Sequence, residues 1–277
     1  MLNKVNPSIA FIGVGNMGSA IVKGLISSNS VDQGNIIIFD KLKDKYNNFA
    51  SLQVIKAVSV KETLSADYIF IAVKPGDVKL ICSEIKDSGV DLKGKVFVSI
   101  CAGVPTEYVC KCLDKKLPVI RMMPSTPLLV GSGAVAISCN EYVSQKQFQY
   151  ICRIISDIAE VVKLDESQMN NVIAVNGSSP AYVYIFIKAM LDAAEESGIQ
   201  REAALPLILK TIEGSCRMVI KSGKDIDTLI NDVISPNGTT AKSVEVFDEC
   251  DFTGIIKQAM DACTKRADEI SAEICSE

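Results

Sequence analysis

Ser8-Ile9-Ala10-Phe11-Ile12-Gly13-Val14-Gly15-Asn16-Met17-Gly18 is the stretch on which the fold turns. Ile9, Phe11 and Ile12 form an apolar run long enough for one buried strand. Gly13, Gly15 and Gly18 follow in Gly-x-Gly-x-x-Gly spacing, and an apolar segment at helical period (Ala20-Ile21-Val22, then Leu25-Ile26) comes next. Strand, glycine turn and helix in that order make a dinucleotide fingerprint. Gly13 turns the chain out of the strand, Gly15 lets backbone approach a pyrophosphate, and Gly18 lets the helix pack on the sheet. The helix N-terminus then presents its N–H groups to the phosphates. Ile12, Gly13, Val14, Gly15, Asn16, Met17 and Gly18 are therefore candidate cofactor contacts.

Working outward, Asn35-Ile36-Ile37-Ile38-Phe39-Asp40 reads as a second parallel strand that ends in an acid. Asp40 lies about 20 residues past the glycine turn, where a carboxylate accepts the adenosine ribose hydroxyls. The plain alternative is a residue capping the loop after a strand. A carboxylate there favours NADH over NADPH, because it repels a 2′-phosphate; Lys41 and Lys43 act in the opposite sense from solvent.

Further strand patterns follow at Val54-Ile55, Ala66–Val73, Lys95–Ile100, Leu117–Met123, Gly133–Cys139 and Val161–Leu164. Helical patterns fall at 77–88, 106–113 and 144–160. This alternation predicts an α/β, doubly wound, Rossmann-type parallel sheet. Ligands of such sheets bind beyond the carboxyl ends of the strands. The strand ends Ala72-Val73-Lys74-Pro75 and Cys101-Ala102-Gly103 join the first glycine turn as candidate cofactor contacts. Any one of them alone reads as an ordinary strand-ending turn.

Beyond Asp165 no strand pattern recurs, so the expected division is a dinucleotide-binding Rossmann domain at 1–165 and an all-helical domain at 166–277. Asn176-Gly177-Ser178-Ser179-Pro180 predicts a helix with a serine cap and proline at its first position. That helix runs to about Ser197, and another covers 201–220. Their apolar stripes exceed what a thin helical core can bury, which predicts a homo-oligomer formed through this half. Ser235-Pro236-Asn237-Gly238-Thr239-Thr240 leads into a helix from Ala241, offering hydroxyls and free N–H groups to an anion. The same residue types also serve any helix start.

Composition narrows the chemistry. The 277 residues contain no histidine, which removes His-dependent triads and His-dependent 2-hydroxy-acid dehydrogenases. A net charge of −4 without a basic cluster speaks against a nucleic-acid partner. Hydrophobic residues make up 48% of the chain, yet no window reaches the ~18 uninterrupted apolar residues of a membrane span. The first residues lack an apolar signal core, so a cytoplasmic location is expected. Ten scattered cysteines, with only Cys110 and Cys112 close together, read as reduced thiols and not as a metal site.

The chain resembles the Δ1-pyrroline-5-carboxylate reductases from Ile9 to about Ala267. The likeness rests on the glycine turn, Ala72–Pro75, Cys101–Gly103, Arg121-Met122-Met123-Pro124, Gly177–Tyr182 and Ser235–Thr240. It implies reduction of the cyclic imine 1-pyrroline-5-carboxylate to L-proline by NAD(P)H, the last step of proline biosynthesis. It also implies a helical domain that interlocks two subunits, with dimers gathered into larger rings. By the same resemblance Ser235, Asn237, Gly238, Thr239 and Thr240 of a partner subunit hold the substrate carboxylate, with Thr240 and Ser235 as the catalytic pair. Three positions depart from the family pattern: Asn237 and Ser179 stand for glycine, and Ser125 for asparagine. Asparagine is the best non-glycine residue where φ is positive; Ser179 is expected to cap its helix, and Ser125 to lose reach toward the nicotinamide. The rival readings are a β-hydroxy-acid dehydrogenase using Lys188 and a non-catalytic nucleotide-binding scaffold.

Overall fold

A computed structural model describes residues 7–276. The chain order is β1 (Ile9–Ile12), α1 (Asn16–Ser27), β2 (Ile36–Phe39), β3 (Ile55–Lys56), α2 (Val60–Thr63), β4 (Tyr68–Ile71), α3 (Val78–Asp87), β5 (Val96–Ser99), α4 (Thr106–Leu113), β6 (Val119–Pro124), β7 (Gly133–Cys139), α5 (Gln145–Ser156) and β8 (Ala159–Lys163). Helices follow: α6 (Ser179–Glu196), α7 (Arg201–Lys221), α8 (Ile226–Val233), α9 (Thr239–Glu249) and α10 (Phe252–Ser276).

The strands form one sheet in the order β3-β2-β1-β4-β5-β6-β7-β8. Its register places Phe11 between Ile38 and Phe70 on the central strands. Both faces are apolar, as a covered parallel sheet requires. Ile9 and Phe11 of β1 look toward α1 and α5, whereas Ala10 and Ile12 look toward α2, α3, α4 and Ile274 near the end of α10. Phe11 stacks on Phe70 with centroids 4.5 Å apart.

The expected all-parallel sheet holds through β6 and then breaks, because β7 runs antiparallel to β6. Residues 125–132 between them hold a short 3-10 turn, and a parallel crossover needs about a dozen residues or more. A hairpin is the geometry left. β7 and β8 are parallel to each other across α5. The helix expected over 144–160 ends at Ser156, and Ala159 and Glu160 open β8.

Contacts divide the molecule into two compact units. The first ends at Ser178 and resumes at Ala262; the second is Ser179–Asp261. The sequence boundary at 165 follows the change from strand to helix pattern, whereas residues 166–178 pack with the sheet. The second unit is helical, with a small core of Leu191, Ala204 and Ile208.

The capped start expected at Ser179-Pro180 is corrected by the structure. Ile173–Gly177 is a π-helical turn, closed by Ser178 N–H donating to the Ile173 carbonyl at 2.8 Å. Ser179 is already the first residue of α6, so the chain arrives wound and needs no serine cap.

Candidate active site

At the end of β1 the three glycines have different causes. Gly13 has φ +97°, and a Cβ there would stand 2.5 Å from the Ala72 carbonyl oxygen. A Cβ on Gly18 would stand 2.4 Å from the Gly13 carbonyl oxygen, so α1 could not close onto the turn. Gly15 faces nothing within 4 Å. No protein atom accounts for its bare backbone, and the open space suits a ligand that approaches closely.

Gly15 is also the N-cap of α1 and no side chain caps that helix. The N–H groups of Asn16, Met17 and Gly18 therefore lie outside the helical ladder, oriented as phosphate donors. Ile12 and Val14 are fully buried and hold the turn from below, while Asn16 is exposed and Met17 half-buried.

Asp40 is built into this turn. One carboxylate oxygen accepts the Val14 N–H and the other the Leu42 N–H, both at 2.9 Å. Each oxygen keeps a lone pair, so Asp40 can accept ribose hydroxyls without giving up either bond. Lys41 pairs with Asp77 at 3.6 Å from an exposed position. Lys43 lies over the Phe39 and Tyr46 rings at 5.3 and 5.1 Å.

The ends of β4 and β5 complete the edge. Ala72 and Val73 are half-buried, Lys74 is exposed, and Pro75 opens a short 3-10 turn. Cys101 turns its thiol inward, donating toward the Val73 and Ile71 carbonyls at 3.2 and 3.4 Å. Burial pushes that thiol up to about 11, so it is protonated at neutral pH and no nucleophile. What Cys101, Ala102 and Gly103 can offer a dinucleotide is backbone. The first unit thus gathers the glycine turn, Asp40, Ala72–Pro75 and Cys101–Gly103 at one edge.

Ser125 shows what the departure from asparagine does. Its hydroxyl accepts from the Ala134 N–H at 3.1 Å and lies 3.2 Å from the Ala134 carbonyl, and the residue is buried. The side chain is committed to β7 and does not reach outward.

The anion turn lies in the second unit. Asn237 has φ +59°, the conformation for which asparagine replaces glycine best. Gly238 is the N-cap of α9, with no side-chain cap. Its own N–H donates to the Ser235 carbonyl at 2.9 Å. The first-turn N–H groups of Thr239, Thr240 and Ala241 lie outside the helical ladder, and Ser235 and Thr239 are exposed.

Lys188 forms an ion pair with Asp192 one turn along α6, and its side chain is 71% exposed. It is a solvated helix face. All ten cysteines are free. Among the described residues no group of metal-ligating side chains occurs, and no helix is long and apolar enough to cross a membrane.

Sequence reasoning missed one cluster entirely. Arg121, 4% exposed on β6, donates to Glu166 and Asn170, and Asn170 donates to Asp268 and Ser271 of α10. Arg121 was visible only as part of a motif, and its partners lie 45 or more residues away.

Comparison with known proteins covers both halves. Residues 166–270 match the family model described as pyrroline-5-carboxylate reductase dimerisation, and residues 8–103 match NADP oxidoreductase, coenzyme F420-dependent. A pyrroline-5-carboxylate reductase of Escherichia coli is 36% identical over 95% of this chain and 98% of its own length. One from Pseudomonas aeruginosa is 33% identical over 97% and 98%. Among solved structures, the Plasmodium falciparum pyrroline carboxylate reductase with NADP bound superposes with a TM-score of 0.88, at 28% identity and 96% and 98% coverage.

Proposed function

We infer that this chain, which belongs to the pyrroline-5-carboxylate reductase family, reduces 1-pyrroline-5-carboxylate to L-proline, the final step of proline biosynthesis. Family membership along nearly the whole chain carries the reading, and the cradle at Gly15 supplies its physical fit. A bound nicotinamide dinucleotide supplies the hydride.

The residues divide the remaining work. Gly13 to Gly18 bind the pyrophosphate through backbone N–H groups. Asp40 accepts the ribose hydroxyls, and Ala72–Pro75 with Cys101–Gly103 line the path toward the nicotinamide. Ser235, Asn237, Gly238, Thr239 and Thr240, contributed by a partner subunit, hold the substrate carboxylate; Thr240 and Ser235 fix the imine against the cofactor. No residue has to donate a proton to an oxyanion. A cyclic imine arrives protonated and leaves as a neutral amine, which is how a site without histidine can work. Proximity and orientation then provide the acceleration.

NADH is the preferred cofactor in this reading, because the Asp40 carboxylate stands where a 2′-phosphate would be repelled. The dimer forms through the second unit, with rings of dimers as the larger assembly. Following cofactor absorbance with 1-pyrroline-5-carboxylate and each cofactor in turn tests both points. Turnover with a higher kcat/KM for NADH is expected. No turnover would remove the activity, and a clear NADPH preference would remove Asp40 from the ribose.

A further inference from the structure

The buried Arg121 cluster ends at the cofactor edge, and that ending is what calls for an explanation. A guanidinium taken out of water on a central strand is costly unless its donors are matched. Arg121 Nη1 donates to Glu166 Oε1 at 3.2 Å and Nη2 to Asn170 Oδ1 at 2.6 Å. Glu166 also accepts the Thr106 N–H, at the start of α4, at 3.1 Å and the Ser138 hydroxyl from β7. Asn170 is thereby fixed in orientation, and its Nδ2 donates to Asp268 at 2.8 Å and to Ser271 Oγ at 3.1 Å.

Ser271 then has a lone pair occupied and one proton to place. Its hydroxyl lies 2.7 Å from the Gly103 carbonyl and 3.0 Å from the Ala267 carbonyl in its own helix. The shorter contact is to the turn. Gly103 has φ +72°, and a Cβ there would press on Ile270 at 3.0 Å. The turn is thus seated directly on the end of α10, within the first unit.

Place in the sheet gives this seat its meaning. Gly103 closes the turn after β5, on the far side of β1 from β2 and Asp40. In this strand order the dinucleotide lies across β1, with adenosine over β2 and nicotinamide over β4 and β5. We propose that Ser271 and Asn170, fixed by Arg121 and Glu166, are positioning residues that set the Cys101–Gly103 turn for the nicotinamide half of the cofactor. The inference rests on the nicotinamide-reductase reading given above.

The discriminating comparison is NADH against ADP-ribose, which lacks the nicotinamide. For Ser271→Ala, isothermal titration calorimetry is expected to show the Kd for NADH raised about fivefold, the loss of one hydrogen bond. The Kd for ADP-ribose is expected to hold, the thermal midpoint of the unliganded protein is expected to fall by a few degrees at most because the lost bond is internal, and Ser271→Thr is expected to restore NADH binding. In steady state kcat falls while KM for the imine holds. Equal losses for NADH and ADP-ribose would make the cluster merely structural and overturn the proposal, as would no loss for either. A wild-type protein that binds NADH but reduces no imine would sink the activity instead, leaving the two-ligand comparison intact.

Discussion

Gly13 and Gly15 answer a single added methyl group in opposite ways. Gly13→Ala meets both a positive φ and the Ala72 carbonyl, so a loss on the order of 1–3 kcal/mol of folding stability or more is expected in urea unfolding. Gly15→Ala meets no protein atom and should leave unfolding unchanged while weakening cofactor binding tenfold or more; a methyl that alters neither would empty the cradle of meaning. Thr240→Ala removes one hydroxyl from the anion turn. About 1.5–3 kcal/mol for a bond to a charged group predicts roughly a 10- to 100-fold rise in KM for the imine, with KM for the cofactor little changed. Cys101 gives a pH signature. Burial raises its thiol from 9.0 to about 11, so the unfolded chain releases a proton that the folded chain keeps. That stability is complete below about pH 9 and is lost as pH rises toward 11. Cys82, also raised by burial, acts in the same direction. Cys101→Ala should therefore flatten the alkaline decline measured by urea unfolding without abolishing it.

Elements whose cause is local were legible in the sequence. β1, α4 and β7 follow from apolar period and bounding turns, and α5 starts where Ser144 and Gln147 form a capping box. Ser144→Ala should cost about 1 kcal/mol in thermal or urea unfolding and leave cofactor affinity alone, since α5 contributes nothing to the site. What escaped depends on more than period. The reversal at β7 follows from the shortness of residues 125–132, which a list of strands does not weigh. The π-helical turn at Ile173–Gly177 follows from tertiary fit: Asn176 Nδ2 donates to the Met123 and Ala134 carbonyls at 2.7 and 3.0 Å. Serine and proline beside it carried a false cap signal. The meeting of the glycine turn with Asp40 was legible because the two form a fingerprint of fixed spacing, and Asp40 accepts the Val14 N–H in the fold. The Arg121 cluster was not, because its members meet only after the sheet has formed.

At the scale of the molecule, the second unit leaves apolar side chains uncovered. On α8, Ile226, Ile230 and Val233 share one helical face at 60%, 46% and 67% exposure, and Val183, Tyr184 and Ile185 of α6 are exposed as well. So much uncovered apolar surface in a unit with so small a core predicts a homodimer in analytical ultracentrifugation, and Ile230→Lys should shift it toward monomer with loss of activity. A fully active monomer would end the shared-site reading. Mixing Gly15→Asp subunits, impaired in cofactor binding, with Thr240→Ala subunits should raise activity above the sum of the two when assayed at imine concentrations far below the raised KM, because one site of each mixed dimer is then intact. The most direct test of hydride delivery to the imine uses NADH carrying deuterium at the transferred position. The account predicts L-proline with deuterium on the ring carbon of the former C=N bond, one per NADH consumed; unlabelled proline, or label found only in a hydroxy acid, would contradict it.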